Sequence, residues 1–316
     1  MKNHLLNRRE FGVRCAAFGL ALPAAMLAVK TGFAASEPKA PARTVKLPDG
    51  TAVSALGQGS WHLGQAKHPP EVEQEAIRTG ISLGMTLIDT SGNYGNGRSE
   101  EFIGRAIAGQ RDRVFLVTKV EAEEVAGDGI ARACDASLAR LGTDYIDLYL
   151  LHFPVPTSQF DGVVAAFEKL RTGGKIRSWG VSNFDKSQME ALFRLPNGNR
   201  CATNQVQYSL KNRRIERDVL PWCQEHNVPV MAYSPLGGGG SPLTSDRTLA
   251  KIGDAHDCSA AAVALAWTIR RGNVIAIPES GTPAHTKENA EALSTVLTPA
   301  DLQALNTAYP GAFGAS

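Results

Sequence analysis

No two cysteines of this 316-residue chain stand at CxxC spacing. Cys15, Cys134, Cys201, Cys223 and Cys258 are scattered singly, so neither a zinc-ribbon nor a dithiol redox motif is present and no metal site is expected. Glycine-rich phosphate loops are missing too. Neither GxGxxG nor GxxxxGK[ST] occurs, which removes the commonest dinucleotide and nucleoside-triphosphate cradles. Neither sign of charge dominates, with 33 Lys and Arg against 31 Asp and Glu. Long apolar runs are absent except near the N-terminus, so no structural membrane-spanning helix is expected.

That N-terminus is distinctive. Asn7-Arg8-Arg9-Glu10-Phe11-Gly12 carries paired arginines, an apolar stretch follows from about Ala16 to Val29, and Gly32, Ala34 and Ala35 offer a small-residue cleavage site. Basic, apolar and small-residue regions in this order describe a secretory signal. Adjacent arginines point to the twin-arginine route, which exports folded proteins. The competing reading is a chance basic amphipathic terminus, and Pro23 interrupts a regular helix there. Residues 1–35 are therefore read as the signal, 36–43 as a flexible leader and 44–316 as the folded domain, with the periplasm as destination. The signal holds Lys2, Arg8, Arg9, Arg14 and Lys30 against Glu10, a net +4; the whole chain is +2, so the remainder is −2. Such a domain has no electrostatic footprint for nucleic acid or an anionic membrane surface. The four cysteines left after the signal are expected to be isolated, mostly buried thiols.

From residue 44 the chain repeats one theme. Thr44 to Gly57 alternates around Pro48-Asp49-Gly50, a hairpin signal. Short apolar runs followed by helical patterns then recur. Strands are expected at Ala52–Leu56, Thr86–Ile88, Val114–Thr118, Tyr145–Leu151, Ile176–Val181, Ala202–Val206, Pro229–Tyr233 and Val274–Ile277, each with a helix after it. Eight such units in about 240 residues are the usual size of a (β/α)8 TIM barrel. Thr298–Ala308 adds an extra C-terminal helix, with Thr298 as N-cap before Pro299. The alternative is a doubly wound sheet, but its first turn would carry a glycine fingerprint. Here that turn reads Gly57-Gln58-Gly59-Ser60-Trp61-His62-Leu63-Gly64.

Four polar residues close or follow three of these runs: Asp89, Tyr94, Lys119 and His152. In a barrel, the carboxyl ends of strands carry the chemistry. A tyrosine is a poor acid near neutral pH, with a free pKa of about 10. An ammonium such as Lys119 favours the phenolate and eases proton release, and Asp89 can keep Lys119 charged. His152 can donate to a carbonyl oxygen. The set would polarise a C=O and protonate it as a hydride arrives, and the hydride demands a cofactor because no side chain supplies one. Each residue also has a plain structural role open to it: Asp89 as a turn residue, Tyr94 as an exposed aromatic, Lys119 as a surface lysine, His152 as a satisfied core histidine. Their joint occurrence on successive strand ends favours the chemical reading.

The chain resembles the aldo-keto reductases from about Thr44 to Pro310. The resemblance is carried by Gly84-Met85-Thr86-Leu87-Ile88-Asp89-Thr90 with Tyr94, Val117-Thr118-Lys119, Asp147-Leu148-Tyr149-Leu150-Leu151-His152, Gly180-Val181-Ser182-Asn183-Phe184, Asn204-Gln205-Val206-Gln207-Tyr208 and Tyr233-Ser234-Pro235-Leu236-Gly237. Gly198–Gln205 and Leu220–Gln224 look most like the bacterial branch that includes methylglyoxal reductases. The resemblance implies an NADPH-dependent barrel acting on small carbonyls, with Tyr94 as general acid, Asp89 and Lys119 tuning it and His152 placing the carbonyl. It also implies Ser182, Asn183 and Gln205 at the nicotinamide amide, Tyr233 stacked on its ring, and Ser234 and Leu236 leading toward the pyrophosphate. Ser280 and Asn289 would belong to the same cofactor, Asn289 at the adenine edge. Trp61 and Phe153 are candidates for an aromatic substrate wall, and Gly237–Gly240 for a mobile loop over the cofactor.

One departure stands out. The family often has lysine after the Ile-Pro that ends the last strand, and arginine a few residues on, both gripping the 2′-phosphate of NADPH. This chain has Glu279 and His285 at those places, with Lys287 beyond. A carboxylate repels a phosphate but accepts from a ribose hydroxyl, so tolerance of NADH is expected. An intact Asp89, Tyr94, Lys119 and His152 favours an enzyme over a cofactor-binding redox sensor or accessory subunit. Alcohol oxidation is the reverse use of the same site. The expected partners are a small carbonyl substrate and the export machinery, with the chain a monomer.

Overall fold

The computed structural model describes residues 43–238 and 243–311; the signal-like segment, nearly all of the leader, the second half of the glycine run with Ser241 and Pro242, and the last five residues lie outside the described residues. The hairpin forms first. Strands β1 (Thr44–Lys46) and β2 (Ala52–Ser54) pair antiparallel with Val45 opposite Val53. Its turn is set locally: Gly50 takes φ +88°, and Asp49 accepts from Thr51 N at 2.9 Å.

Eight parallel strands follow: β3 (Gln58–Gly59), β4 (Leu87–Asp89), β5 (Phe115–Val120), β6 (Ile146–Leu151), β7 (Ile176–Ser182), β8 (Asn204–Gln207), β9 (Val230–Tyr233) and β10 (Val274–Ala276). Each is hydrogen-bonded to the next in chain order. The ring closes where Gly57 N donates to Ala276 O at 2.8 Å, Ala276 N to Ala55 O at 2.9 Å and Gly59 N to Pro278 O at 2.9 Å. The architecture is the expected (β/α)8 barrel.

The first barrel strand corrects the sequence reading. The expected strand Ala52–Leu56 divides: Ala52–Ser54 belongs to the hairpin, and the barrel strand is the two-residue β3 just beyond it. Val53, Ala55 and Leu56 are all apolar and buried across the division, so apolar character alone hides it. The crossing is tight at Gly57, where a Cβ would lie 2.7 Å from Leu87 Cδ2 and 2.8 Å from Leu87 O. Only glycine passes there without displacing β4.

Among the described residues, ten helices surround the barrel: α1 (Pro70–Ser82), α2 (Arg98–Ala106), α3 (Gly129–Leu141), α4 (Phe160–Thr172), α5 (Lys186–Phe193), α6 (Val219–Glu225), α7 (Arg247–Ala255), α8 (Ala260–Ile269), α9 (Pro283–Ala290) and α10 (Pro299–Ala308). Helix α7 was not expected. It buries Leu249 and Ile252, and its cap Asp246 accepts from Thr248 N at 2.8 Å and Leu249 N at 3.0 Å. That cap was its sequence signal.

Inside the barrel, Leu87, Val117, Leu148, Leu150, Met231 and Ile275 share one cluster with Val45, Leu47 and Val53 of the hairpin. The hairpin thus floors the amino end, leaving the carboxyl ends as the mouth. Outside, Phe167 stacks on Trp179 (5.6 Å) and meets Tyr149 edge-on (5.8 Å), joining α4 to β6 and β7. Four free cysteines lie among the described residues, and burial pushes the thiols of Cys134, Cys201 and Cys223 up to about 12.

Near the amino end of β6, the buried Asp147 accepts from Arg111 Nη2 at 2.7 Å, Leu116 N at 3.0 Å and Arg177 Nη1 at 3.1 Å. Residues at this end of a barrel serve stability. Asp147→Ala strands the Leu116 N–H and leaves Arg111 facing no charge. Urea denaturation should show a loss of roughly 3 kcal/mol, with the fold retained; a loss under 1 kcal/mol would refute the assignment.

Candidate active site

Asp89 is the last residue of β4, and Lys119 the last but one of β5, its side chain wholly buried. The Lys119 ammonium has three N–H bonds to place. They meet Asp89 Oδ2 at 2.8 Å, Thr90 O at 2.6 Å and Tyr94 Oη at 3.2 Å. Gln205, on β8 across the barrel, donates Nε2 to the other Asp89 oxygen at 2.7 Å. Burial opposes the charge on Lys119, but Asp89 and Tyr94 outweigh it and hold the ammonium above its ordinary 10.5.

Tyr94 behaves differently from the sequence expectation. Burial pushes its phenol above the ordinary 10.0; Lys119 pulls it back, while Asp89 and Glu121 add to the rise. The ammonium eases ionisation as expected, but its share is smaller than that of burial. The phenol therefore keeps its proton throughout the neutral range, as a proton donor must.

His152 follows β6 directly. Its Nδ1 lies 2.5 Å from Glu121 Oε1, and Ser91 Oγ donates to the same oxygen at 3.2 Å. The His152 ring meets Tyr94 edge-on at 5.8 Å and stacks on Phe153 at 4.7 Å. Glu121 escaped the sequence reading. Its signal was the two-residue period: Val117 and Lys119 point into the barrel, so Glu121 continues the same face beyond the strand.

A cavity of about 520 Å³ opens over these groups, bounded by Asp89, Tyr94 and His152 at one end. Ser182, Asn183, Gln205, Tyr233, Ser234 and Leu236 form the wall beside them. Ser182 Oγ donates to Gln205 O at 2.9 Å, Asn183 Nδ2 to His152 O at 3.1 Å, and Tyr233 Oη to Asn183 Oδ1 at 3.0 Å. Asn183 and Ser234 hold φ of +63° and +49°. Such backbone persists only where neighbours fix it, as at ligand sites. Amide donors and acceptors beside the half-buried face of Tyr233 suit a flat ring bearing a carboxamide. This wall fits a nicotinamide.

Trp61 and Phe153 are 60% and 48% exposed and stand at the mouth. Glu279 is there as well, but its carboxylate is engaged: it accepts from His62 N at 2.7 Å and pairs with His62 Nδ1 at 2.8 Å. This clasp joins the loops after β3 and β10, and nothing in the local sequence announced it. Two anticipated cofactor residues, Ser280 and Asn289, do not line the cavity, and neither does His285, which stands where the family often has arginine. Ser280 Oγ is turned into its own loop, donating to Thr282 O at 2.9 Å. Asn289 is buried on α9, and His285 lies exposed in its first turn. Among the described residues, no cluster capable of holding a metal occurs.

The site now has relatives to compare with. The model of the aldo/keto reductase family matches residues 55–310. Methylglyoxal reductase YeaE of Escherichia coli (strain K12) is 46% identical over 275 residues, covering 86% of this chain and 96% of that protein. An aldo/keto reductase of Klebsiella pneumoniae, solved in complex with NADP and acetate, superimposes with a TM-score of 0.82 at 43% identity, over 86% of this chain and 97% of its own. A second Klebsiella pneumoniae structure, with NADPH, gives a TM-score of 0.81 at 43% identity over 86% and 96%. The chain belongs to the aldo/keto reductase family of oxidoreductases.

Proposed function

We propose that this protein uses NADPH to reduce small aldehydes and 2-oxoaldehydes, methylglyoxal among them, to alcohols. The carrying observation is the Tyr94 hydroxyl, 3.2 Å from Lys119 Nζ, on the same cavity as His152 and the Ser182–Asn183–Gln205–Tyr233 wall. The likeness to a methylglyoxal reductase and to NADP-bound reductases supports the substrate class and the cofactor. When bound, the nicotinamide supplies the hydride. Ser182, Asn183 and Gln205 would hold its carboxamide, and Tyr233 would lie against its ring. Ser234 and Leu236 continue toward the pyrophosphate, with Ser280 and Asn289 toward the adenosine.

Tyr94 delivers its proton to the carbonyl oxygen as negative charge develops there. Lys119 then stabilises the phenolate left behind, and Asp89 keeps Lys119 charged. His152 points the carbonyl at Tyr94, while Trp61 and Phe153 wall the substrate. Tyr94→Phe is expected to lower kcat by about 10²–10⁴ and to leave cofactor affinity little changed. Turnover at 340 nm with methylglyoxal, beside a fluorescence titration of the cofactor, checks this; near-full activity would remove Tyr94 from its role.

Glu279 sets the cofactor preference. A carboxylate here disfavours a 2′-phosphate, and its clasp with His62 keeps it from swinging away. Lys287, exposed on α9, supplies a counterweight. NADH is therefore accepted beside NADPH. Glu279→Lys should tighten NADPH relative to NADH by roughly tenfold, about 1.4 kcal/mol, read as the two dissociation constants. An unmodified protein already strongly selective for NADPH would contradict this.

The export reading rests on Asn7–Gly12 and the apolar stretch after it. On this reading the protein is periplasmic, folded and loaded before transport. Replacing Arg8 and Arg9 together by lysine should keep the full-length precursor in the cytoplasm on fractionation; unchanged periplasmic protein would argue against the route.

A further inference from the structure

Trp61 stands 60% exposed at the mouth, yet the chain on either side of it is pinned. Before it, Ser60 Oγ donates to Asp89 O at 2.9 Å, and Ser60 O accepts from Ser99 Oγ at 2.8 Å. After it, Glu279 holds His62 twice, by the backbone N at 2.7 Å and by Nδ1 at 2.8 Å. An ionised carboxylate only accepts hydrogen bonds, so both nitrogens are donors. The imidazole fixed in this way lies against the Trp61 indole, with ring centroids 4.6 Å apart and planes 28° from parallel. Gln65 Nε2 donates to Trp61 O at 2.5 Å and closes the turn. The two loops also meet through their backbones, where Gly59 bridges in parallel to Glu279.

An exposed indole lacks the surrounding core that would hold it in one orientation. Such a ring favours a substrate most when it is ordered beforehand, because ordering it on binding subtracts from affinity. We propose that Glu279 is a positioning residue for the substrate wall. Through His62 it sets the Trp61 ring, against which the carbon skeleton of a larger aldehyde packs. This goes beyond its effect on the cofactor phosphate and rests on the reading of Trp61 as a wall given above. The two roles separate chemically. The negative charge of Glu279 acts on a phosphate, whereas its oxygens act on His62 as acceptors. An amide at 279 removes the charge but keeps one oxygen for the His62 N–H, and its own N–H can donate to Nδ1 of the other imidazole tautomer. A single residue thereby joins the cofactor side of the mouth to the substrate side.

The test reads the ratio of kcat/KM for benzaldehyde to that for methylglyoxal at one saturating cofactor, a ratio from which cofactor affinity cancels. Trp61→Ala should lower it about three- to tenfold, the range of an aromatic contact. Glu279→Ala and His62→Ala should each lower it about threefold, and Glu279→Gln should keep it. In a Trp61→Ala background, Glu279→Ala should change it no further, as for residues that act through one another. A second readout needs no cofactor. Of the four tryptophans, Trp179, Trp222 and Trp267 are buried, so the fluorescence that acrylamide reaches is that of Trp61. Its anisotropy, taken by difference from Trp61→Phe, should fall in Glu279→Ala and His62→Ala and hold in Glu279→Gln. An unchanged ratio in both alanine variants would overturn the proposal, as would a Glu279→Ala effect of full size in the Trp61→Ala background. A ratio unmoved by Trp61→Ala itself would remove Trp61 as a wall and the proposal with it. None of these outcomes bears on Tyr94, which Tyr94→Phe tests alone, so failure here is separable from failure of the proposed reduction.

Discussion

A charge without solvent must find partners within the fold, and Lys119 is that charge here. Its ammonium has all three protons placed, on Asp89, Thr90 O and Tyr94. Asp89 is in turn shared with Gln205 from the far side of the barrel. One buried ion pair therefore ties β4, β5 and β8 to a single geometry. Losing either partner of such a pair typically costs about 3–5 kcal/mol, because the other is left buried and uncompensated. The same demand for satisfaction pins the Tyr94 hydroxyl beside the cavity. Stability and the placing of a proton donor are one constraint.

Around that pair the site is built from opposed effects. Burial raises the Tyr94 phenol, Lys119 lowers it, and two carboxylates raise it again. The outcome is a phenol that stays protonated yet stands beside a fixed cation able to receive its negative charge. Asp89 serves the lysine and Glu121 the histidine, so each basic group of the site has its own carboxylate. At the mouth the pattern recurs with Glu279 and His62, this time joining two loops rather than two strands.

Much of this was legible because period and position carry it. Eight apolar runs, each followed by a helical pattern, specify the barrel, and a polar residue at the end of a buried run is a strand end facing the mouth. Asp89, Lys119 and His152 were readable on that rule; Ser182 and Tyr233, at the ends of β7 and β9, were read from the family resemblance instead. What escaped depends on contacts between distant segments. The split after Ser54 depends on the close crossing of Gly57 and Leu87, which lie 30 positions apart. Glu121 reads as one more acidic residue in Glu121-Ala122-Glu123-Glu124 until His152, 31 positions away, is placed against it. The Glu279 clasp spans 217 positions. Helix α7 was readable in principle from Asp246, but a polar stretch after four glycines resembles a loop.

The thiols carry a consequence of another kind. Cys134, Cys201 and Cys223 are buried on separate elements, and their pKa values near 12 leave almost no thiolate at neutral pH. Thiolate is the form that oxidants and disulfide exchange consume. These three positions therefore neither require an oxidising environment nor respond readily to one. At these three positions the core is therefore redox-indifferent: the packing made in a reducing environment is the packing kept in an oxidising one.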